Sequence, residues 1–460
     1  MARERNVQLE AVIRELAWPQ ERLASHFRRV AAENHAAELL TVTRSHINQW
    51  VRGSKPGGRA PTILCETLSR GLQRVVTPSE IGLSADTEAV LSAPAWEADT
   101  LTALTELGGN DLDIGRRHVL AGTVYSAAGS ALPVGDWWDD TLARARSRSS
   151  TNRAAITDED VDSVREMAAF FSRRDQRRGG RAGRTALIGY LRVDVAEYLA
   201  GQFSSEKVRQ DLTSVAAELV YLAGWTAFDA CEHGVAQRYF TVATRMAAEA
   251  DDAPLAGHIL RAMAHQAVDL GHPKRAVDLA SASVDRRRYT LASPRERALL
   301  GVVHARALAA AGQKQDALAA LRRAENDLGS ADGTTEPNRV FFFGEASLAH
   351  ETARTLVDLG DLKAAEREFT RSVRTRRSQF ARTHAVTLGF LGDVQVRQGQ
   401  MEAAVATWNQ ALDTMEGVQS GRTRESVVTM RRALSPVRGR GGSAAAELDE
   451  RARAVLSRIG

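Results

Sequence analysis

The chain is expected to be all-α, with an N-terminal helix-turn-helix domain followed by an α-solenoid of helix pairs. Three observations predict this. Aromatic residues make up only 5% of 460 positions within a 43% hydrophobic content, which suits helices packed through alanine and leucine better than sheets. Apolar residues recur at helical spacing in most segments. A turn residue followed five positions later by alanine recurs through the C-terminal half.

The elements follow in order. Val7, Leu9, Val12, Ile13 and Leu16 mark a first amphipathic helix. A second starts at Trp18-Pro19-Gln20-Glu21, with Pro19 suited to a first helical turn where its missing N–H is no loss. Leu23, Ala24, Phe27 and Val30 extend it to about Glu33, and residues 35–42 form a connection. Thr43 can cap a third helix over residues 44–52. There Ile47, Trp50 and Val51 form an inward stripe, while Arg44, Ser45, His46, Asn48, Gln49 and Arg52 occupy the other face. Gly53 ends that helix, Pro56-Gly57-Gly58 turns the chain, and residues 61–71 make a further helix with Ile63, Leu64, Leu68 and Leu72 inward.

The polar face of the third helix is the main functional signal. Arginine can pair with guanine, and asparagine or glutamine with adenine, in the major groove. Exposed helix faces are ordinarily polar, but no carboxylate occurs between Leu39 and Glu66. Residues 1–75 hold 12 Lys/Arg against 7 Asp/Glu, an excess of five, whereas the whole chain has a net charge of +4. All the net positive charge therefore lies where a DNA interface would need it. Arg44, Ser45, His46, Asn48 and Gln49 are expected to read bases, with Gln20, Thr43, Arg52, Lys55 and Arg59 near phosphates.

The order LASHF, VTRSHINQWVRGSKPGGRAP, ETLSRGL and VTPSEIGL resembles the N-terminal domain of bacterial helix-turn-helix regulators of the phage-repressor (Xre-like) type, over roughly the first eighty residues. The resemblance implies a DNA-binding transcription regulator whose repeat domain senses an effector or mediates oligomerisation. The partners implied are double-stranded operator DNA, as two half-sites, and a second copy of the chain as a homodimer. The chain departs from the family in the longer stretch between Leu23-Ala24 and Thr43. The alternative is a helical-repeat scaffold or adaptor without sequence-specific DNA binding.

Beyond residue 82 the composition changes. Residues 83–155 are expected to be a linker with short helices, including Pro94, Gly108-Gly109 and a Trp137-Trp138 pair buried against the next domain. Arg116-Arg117 ahead of a weakly apolar run imitates an export signal, but it lies over a hundred residues into the chain and the run is too short to span a membrane. The six arginines Arg173, Arg174, Arg177, Arg178, Arg181 and Arg184, interrupted by glycines, are read as a solvated loop between helices rather than a phosphate contact.

Residues 156–420 carry the repeat. The pairs are Cys231 and Ala236, Gly271 and Ala276, Gly312 and Ala317, Gly360 and Ala365, and Gly399 and Ala404, with turn residues 40, 41, 48 and 39 positions apart. Glycine permits a tight turn between antiparallel helices, and alanine lets the second helix approach the first. These units resemble tetratricopeptide repeats, with a longer and uneven period. Such pairs stack into a curved solenoid whose inner face is the expected effector site, for a peptide, small molecule or protein. Candidate residues there are Tyr221, Trp225, Asp229, Arg261, His265, Arg306, Glu345 and His384, with His258, Phe342, His350 and Phe390 beside them. Trp225, with Phe228, is read rather as core between neighbouring helices, and the groove is expected as a region more than through any single residue. Residues 421–460 are expected to hold a Gly-rich linker and a closing helix over 444–459.

Enzyme chemistry is not expected. Cys231-Glu232-His233 lacks further zinc ligands. Residues 179–185 have the wrong spacing for a phosphate loop, and they lack its lysine. Two cysteines exclude a disulfide framework and point to a reducing cytoplasm. No cofactor or metal is expected, and no membrane association.

Overall fold

The computed structural model describes residues 4–83, 96, 98–113, 124–133, 135–148, 155–333, 335–436 and 442–459. Within the expected linker, residues 84–95, the Arg116-Arg117 pair and residues 149–154 lie outside them.

Four helices build the N-terminal head: α1 (Val7–Leu16), α2 (Gln20–Glu33), α3 (Arg44–Val51) and α4 (Ala60–Leu72). Leu23, Phe27, Ile47, Ile63 and Leu68 are all fully buried at its centre. Pro19 takes the N-cap position of α2, with φ −55° and ψ 141°, one residue before the expected first turn. The helix α3 ends as its sequence requires. Gly53 adopts φ +96°, so that Gly53 N–H donates to the Trp50 carbonyl at 3.1 Å and Ser54 N–H to the Gln49 carbonyl at 3.0 Å.

Next come α5 (Thr100–Leu112), α6 (Trp137–Ser147), α7 (Asp158–Arg178) and α8 (Arg184–Tyr190). Trp138 packs on the repeat core and donates its indole N–H to Asp251 at 3.0 Å. Ile156 and Phe203 belong to a two-residue parallel strand pair that the sequence pattern does not announce.

Among the described residues the solenoid consists of five helix pairs: α9 (Glu206–Asp229) with α10 (His233–Glu249), α11 (Ala253–Asp269) with α12 (Pro273–Ser283), α13 (Pro294–Ala310) with α14 (Lys314–Gly329), α15 (Glu345–Asp358) with α16 (Leu362–Thr375), and α17 (Ala381–Arg397) with α18 (Met401–Thr414). The turn logic holds at every pair. Cys231, Gly271, Gly312, Gly360 and Gly399 all have φ between +63° and +82°. Ala236, Ala276, Ala317, Ala365 and Ala404 are all completely buried. Two further helices, α19 (Gly421–Leu434) and α20 (Gly442–Ile459), cover the last pair through Val427, Met430, Leu448 and Ala452.

One expectation needs correction. The arginine run is largely helical rather than a loop, although Arg173, Arg174, Arg177, Arg178 and Arg181 are exposed. Arg173, Arg174, Arg177 and Arg178 lie in the last turns of α7, and Arg184 is buried against Asp111 and Glu232. The glycines between them sit in a seam, where Gln419 N–H donates to the Arg178 carbonyl at 2.7 Å and Arg181 N–H to the Gln419 carbonyl at 3.3 Å. The curvature of the expected solenoid brings its two ends together. Arg382 of α17 pairs with Asp175 of α7 at 3.1 Å and with Asp229 of α9 at 2.9 Å, so the array curls back onto its own start. Its inner surface thus becomes a polar interior.

Candidate nucleic-acid interface and solenoid cavity

The α3 helix is seated by Ile47, Trp50 and Val51, with the Trp50 ring 5.5 Å from that of Phe27. This seating turns the opposite face outward. Arg44, Ser45, His46, Gln49 and Arg52 are exposed and Asn48 is half-buried. Thr43 and Lys55 are exposed at the two ends, and Gln20 is half-buried at the start of α2. The His46 ring turns back on its own helix, accepting the Thr43 N–H at Nδ1 over 3.2 Å. Arg59 is half-buried and engaged within the head: its guanidinium binds Glu38 at 3.0 Å and the Asn34 and His35 carbonyls at 3.1 Å. It thereby holds the long connection between α2 and α3, a role legible only from that connection's unusual length.

The head docks on the solenoid through α4, away from the exposed face of α3. Glu66 is buried among apolar neighbours of α4, and its Oε1 meets His272 Nε2 at 2.7 Å and Arg70 Nε at 2.8 Å. Arg70 reaches on to Glu33 at 2.5 Å. Burial alone would raise the Glu66 pKa, but the charges of His272 and Arg70 hold it below the usual carboxylate value. Gln73 Nε2 donates to the Gly271 carbonyl at 3.1 Å, and the Tyr125 ring lies tilted against His272 with ring centroids 5.5 Å apart. Sequence reasoning missed this latch; a glutamate on the inward side of an apolar helix was its one signal.

The expected effector residues divide. Asp229, Arg261, His265 and Arg306 are buried in the closed interior with Tyr221, and Trp225 is half-buried beside them. Arg261 donates to the Tyr221 hydroxyl at 2.8 Å and lies 5.5 Å over the Trp225 ring. Asp229 accepts from Gly180 N–H and Ser420 Oγ as well as Arg382, so it closes the seam. Glu345 lies outside, paired with Arg371 at 3.0 Å, and half-buried His384 is held below the ordinary histidine value by burial and by Arg376. His258 and His350 are buried and driven well below that value, mainly by burial.

A cavity of about 300 Å³ lies among the solenoid helices. Arg306 lines it beside Arg354, Arg422 and Asp269, residues of α11, α13, α15 and α19, while Glu33 contributes from the head. Among the described residues no group of three or more His, Cys, Asp or Glu is placed to hold a metal, and no helix is long and apolar enough to cross a membrane.

A family model described as the SP15 N-terminal domain matches residues 9–84, which is the head. It names that domain, not the phage-repressor type that the residues resemble. No curated protein matches the chain. A Podosopora anserina structure described as kinesin light chain nearly identical TPR-like repeats is 22% identical, covering 45% of this chain and 97% of that one, with a TM-score of 0.33. A single-substitution form of the same protein gives the same values. The chain is a helical-repeat protein with a small all-α head.

Proposed function

We propose that the chain is a DNA-binding regulator in which the outer face of α3 enters the major groove and the solenoid receives a signal or joins two copies. One observation carries this reading. The head is fixed to the solenoid through α4, and that arrangement leaves a carboxylate-free face of Arg44, Ser45, His46, Asn48, Gln49 and Arg52 turned to solvent. Such a face matches the donor and acceptor pattern of base edges. A homodimer follows from the two-fold symmetry common to operators, and the cytoplasm is the compartment in which it would meet DNA.

A second reading is favoured by the architecture itself. Five helix pairs and their closing helices make up most of the described chain, and a helical-repeat scaffold needs no nucleic acid. The fold supports this coarser role more directly than it supports DNA binding. Gel retardation of mixed DNA fragments by the full chain at low salt separates the two. The regulator reading expects retardation that Asn48→Ala and Gln49→Ala weaken on a preferred sequence. Absence of any retardation would leave the scaffold.

A further inference from the structure

The cavity among the solenoid helices holds charges that the protein leaves imperfectly matched. Arg306, Arg354 and Arg422 converge on one carboxylate, Asp269, at 2.5, 3.3 and 3.6 Å. Arg306 is 1% exposed, and its Nε makes no hydrogen bond; its ion pair with Asp358 spans 3.6 Å. Burial and the neighbouring Arg306 charge push Arg354 down to about 10. Two carboxylates also face this cavity. Half-buried Asp393 and solvent-exposed Glu425 line it without an ion-pair partner within 4 Å among the described residues, and desolvation raises both. Phe228, Phe390 and Trp408 supply apolar wall between these groups. A buried group that lacks a partner, such as Arg306 Nε, is costly, and an occupant that supplies the partner is stabilised accordingly, while Asp393 and Glu425 offer acceptors facing the same space.

The geometry points to a binding site for a small zwitterion of the amino-acid class, its anionic end on the Arg306–Arg354–Arg422 cluster, its ammonium on Asp393 and Glu425, and an apolar group against Phe228, Phe390 and Trp408. A purely anionic occupant would leave the two carboxylates unmatched, and a purely cationic one would leave the arginines so. The volume lies at the small end of the range for organic ligands. Glu33 places the head in contact with the occupant, and through Arg70 and Glu66 it joins the cavity to the His272 latch. This deepens the sensing half of the proposed function, and its regulatory consequence rests on that reading.

The test uses the full chain without DNA. L-Leucine, L-methionine and L-phenylalanine are titrated by calorimetry, each against its N-acetyl and its amide derivative. At least one free amino acid should bind, with both derivatives at least tenfold weaker. Asp393→Asn should abolish the discrimination against the N-acetyl form, and Arg354→Gln that against the amide. If none of the three binds, or if a derivative binds as well as its parent, the proposal is overturned; this holds on wild-type protein even if a variant fails to fold. Because no DNA is present, a failure of DNA binding leaves this result standing, and the two ideas fail separately.

Discussion

Replacing Glu66 by alanine tests how the head is held. Glu66 is 3% exposed and His272 5%, so the substitution removes the shared partner of a buried cation and a buried imidazole. Breaking a buried ion pair typically costs about 3–5 kcal/mol. Arg70 keeps Glu33 at 2.5 Å, so the loss should fall near the lower end, about 3 kcal/mol. Equilibrium urea unfolding measures it, and native-state hydrogen exchange should place the loosening in α4 and at the Gly271 turn. Glu66→Ala and His272→Ala should also be coupled by about 1–3 kcal/mol in a double-mutant cycle. A loss under about 0.5 kcal/mol, with additive single effects, would refute the latch.

Other consequences follow from the same structure. Arg59→Ala should destabilise the head by about 1–3 kcal/mol, since its donors are spent on Glu38 and two carbonyls, while leaving the salt dependence of DNA binding nearly unchanged. Gly312→Ala meets no atom within 4 Å but must hold φ +79°, so it should cost about 1–2 kcal/mol in thermal unfolding, by backbone strain alone. Burial, with Arg70 next, pushes His233 down to about 4. The unfolded chain therefore takes up a proton below about pH 6.5 that the folded chain refuses until about 4, and stability should fall as pH drops through that window, by up to about 3 kcal/mol from this residue. Urea midpoints at pH 7 and pH 5, compared with those of His233→Gln, check the sign.

What was legible in the sequence was local. The turn positions could be found because a left-handed backbone and a close helix approach each demand a small set of residues, and Cys231 at φ +63° shows that position outranks residue type. The inward stripe of α3 was legible for the same reason, since period 3.6 fixes which residues share a face. Closure of the solenoid was not. It depends on small rotations summed over successive repeats and on pairs such as Arg382 with Asp229, 153 positions apart. The bonds of Arg59 to the α2–α3 connection and the buried Glu66 were hidden likewise, because each answers to a partner that only folding brings near.

Selection of bound sequences from a random double-stranded pool tests the central claim most directly. The full chain should enrich a preferred sequence, arranged as two related half-sites, and Asn48→Ala should weaken binding to it by about 1–3 kcal/mol while relaxing specificity at one base pair. No enrichment, or a preferred sequence to which both Asn48→Ala and Gln49→Ala bind as well as wild type, would contradict the assignment of α3 as the reading helix.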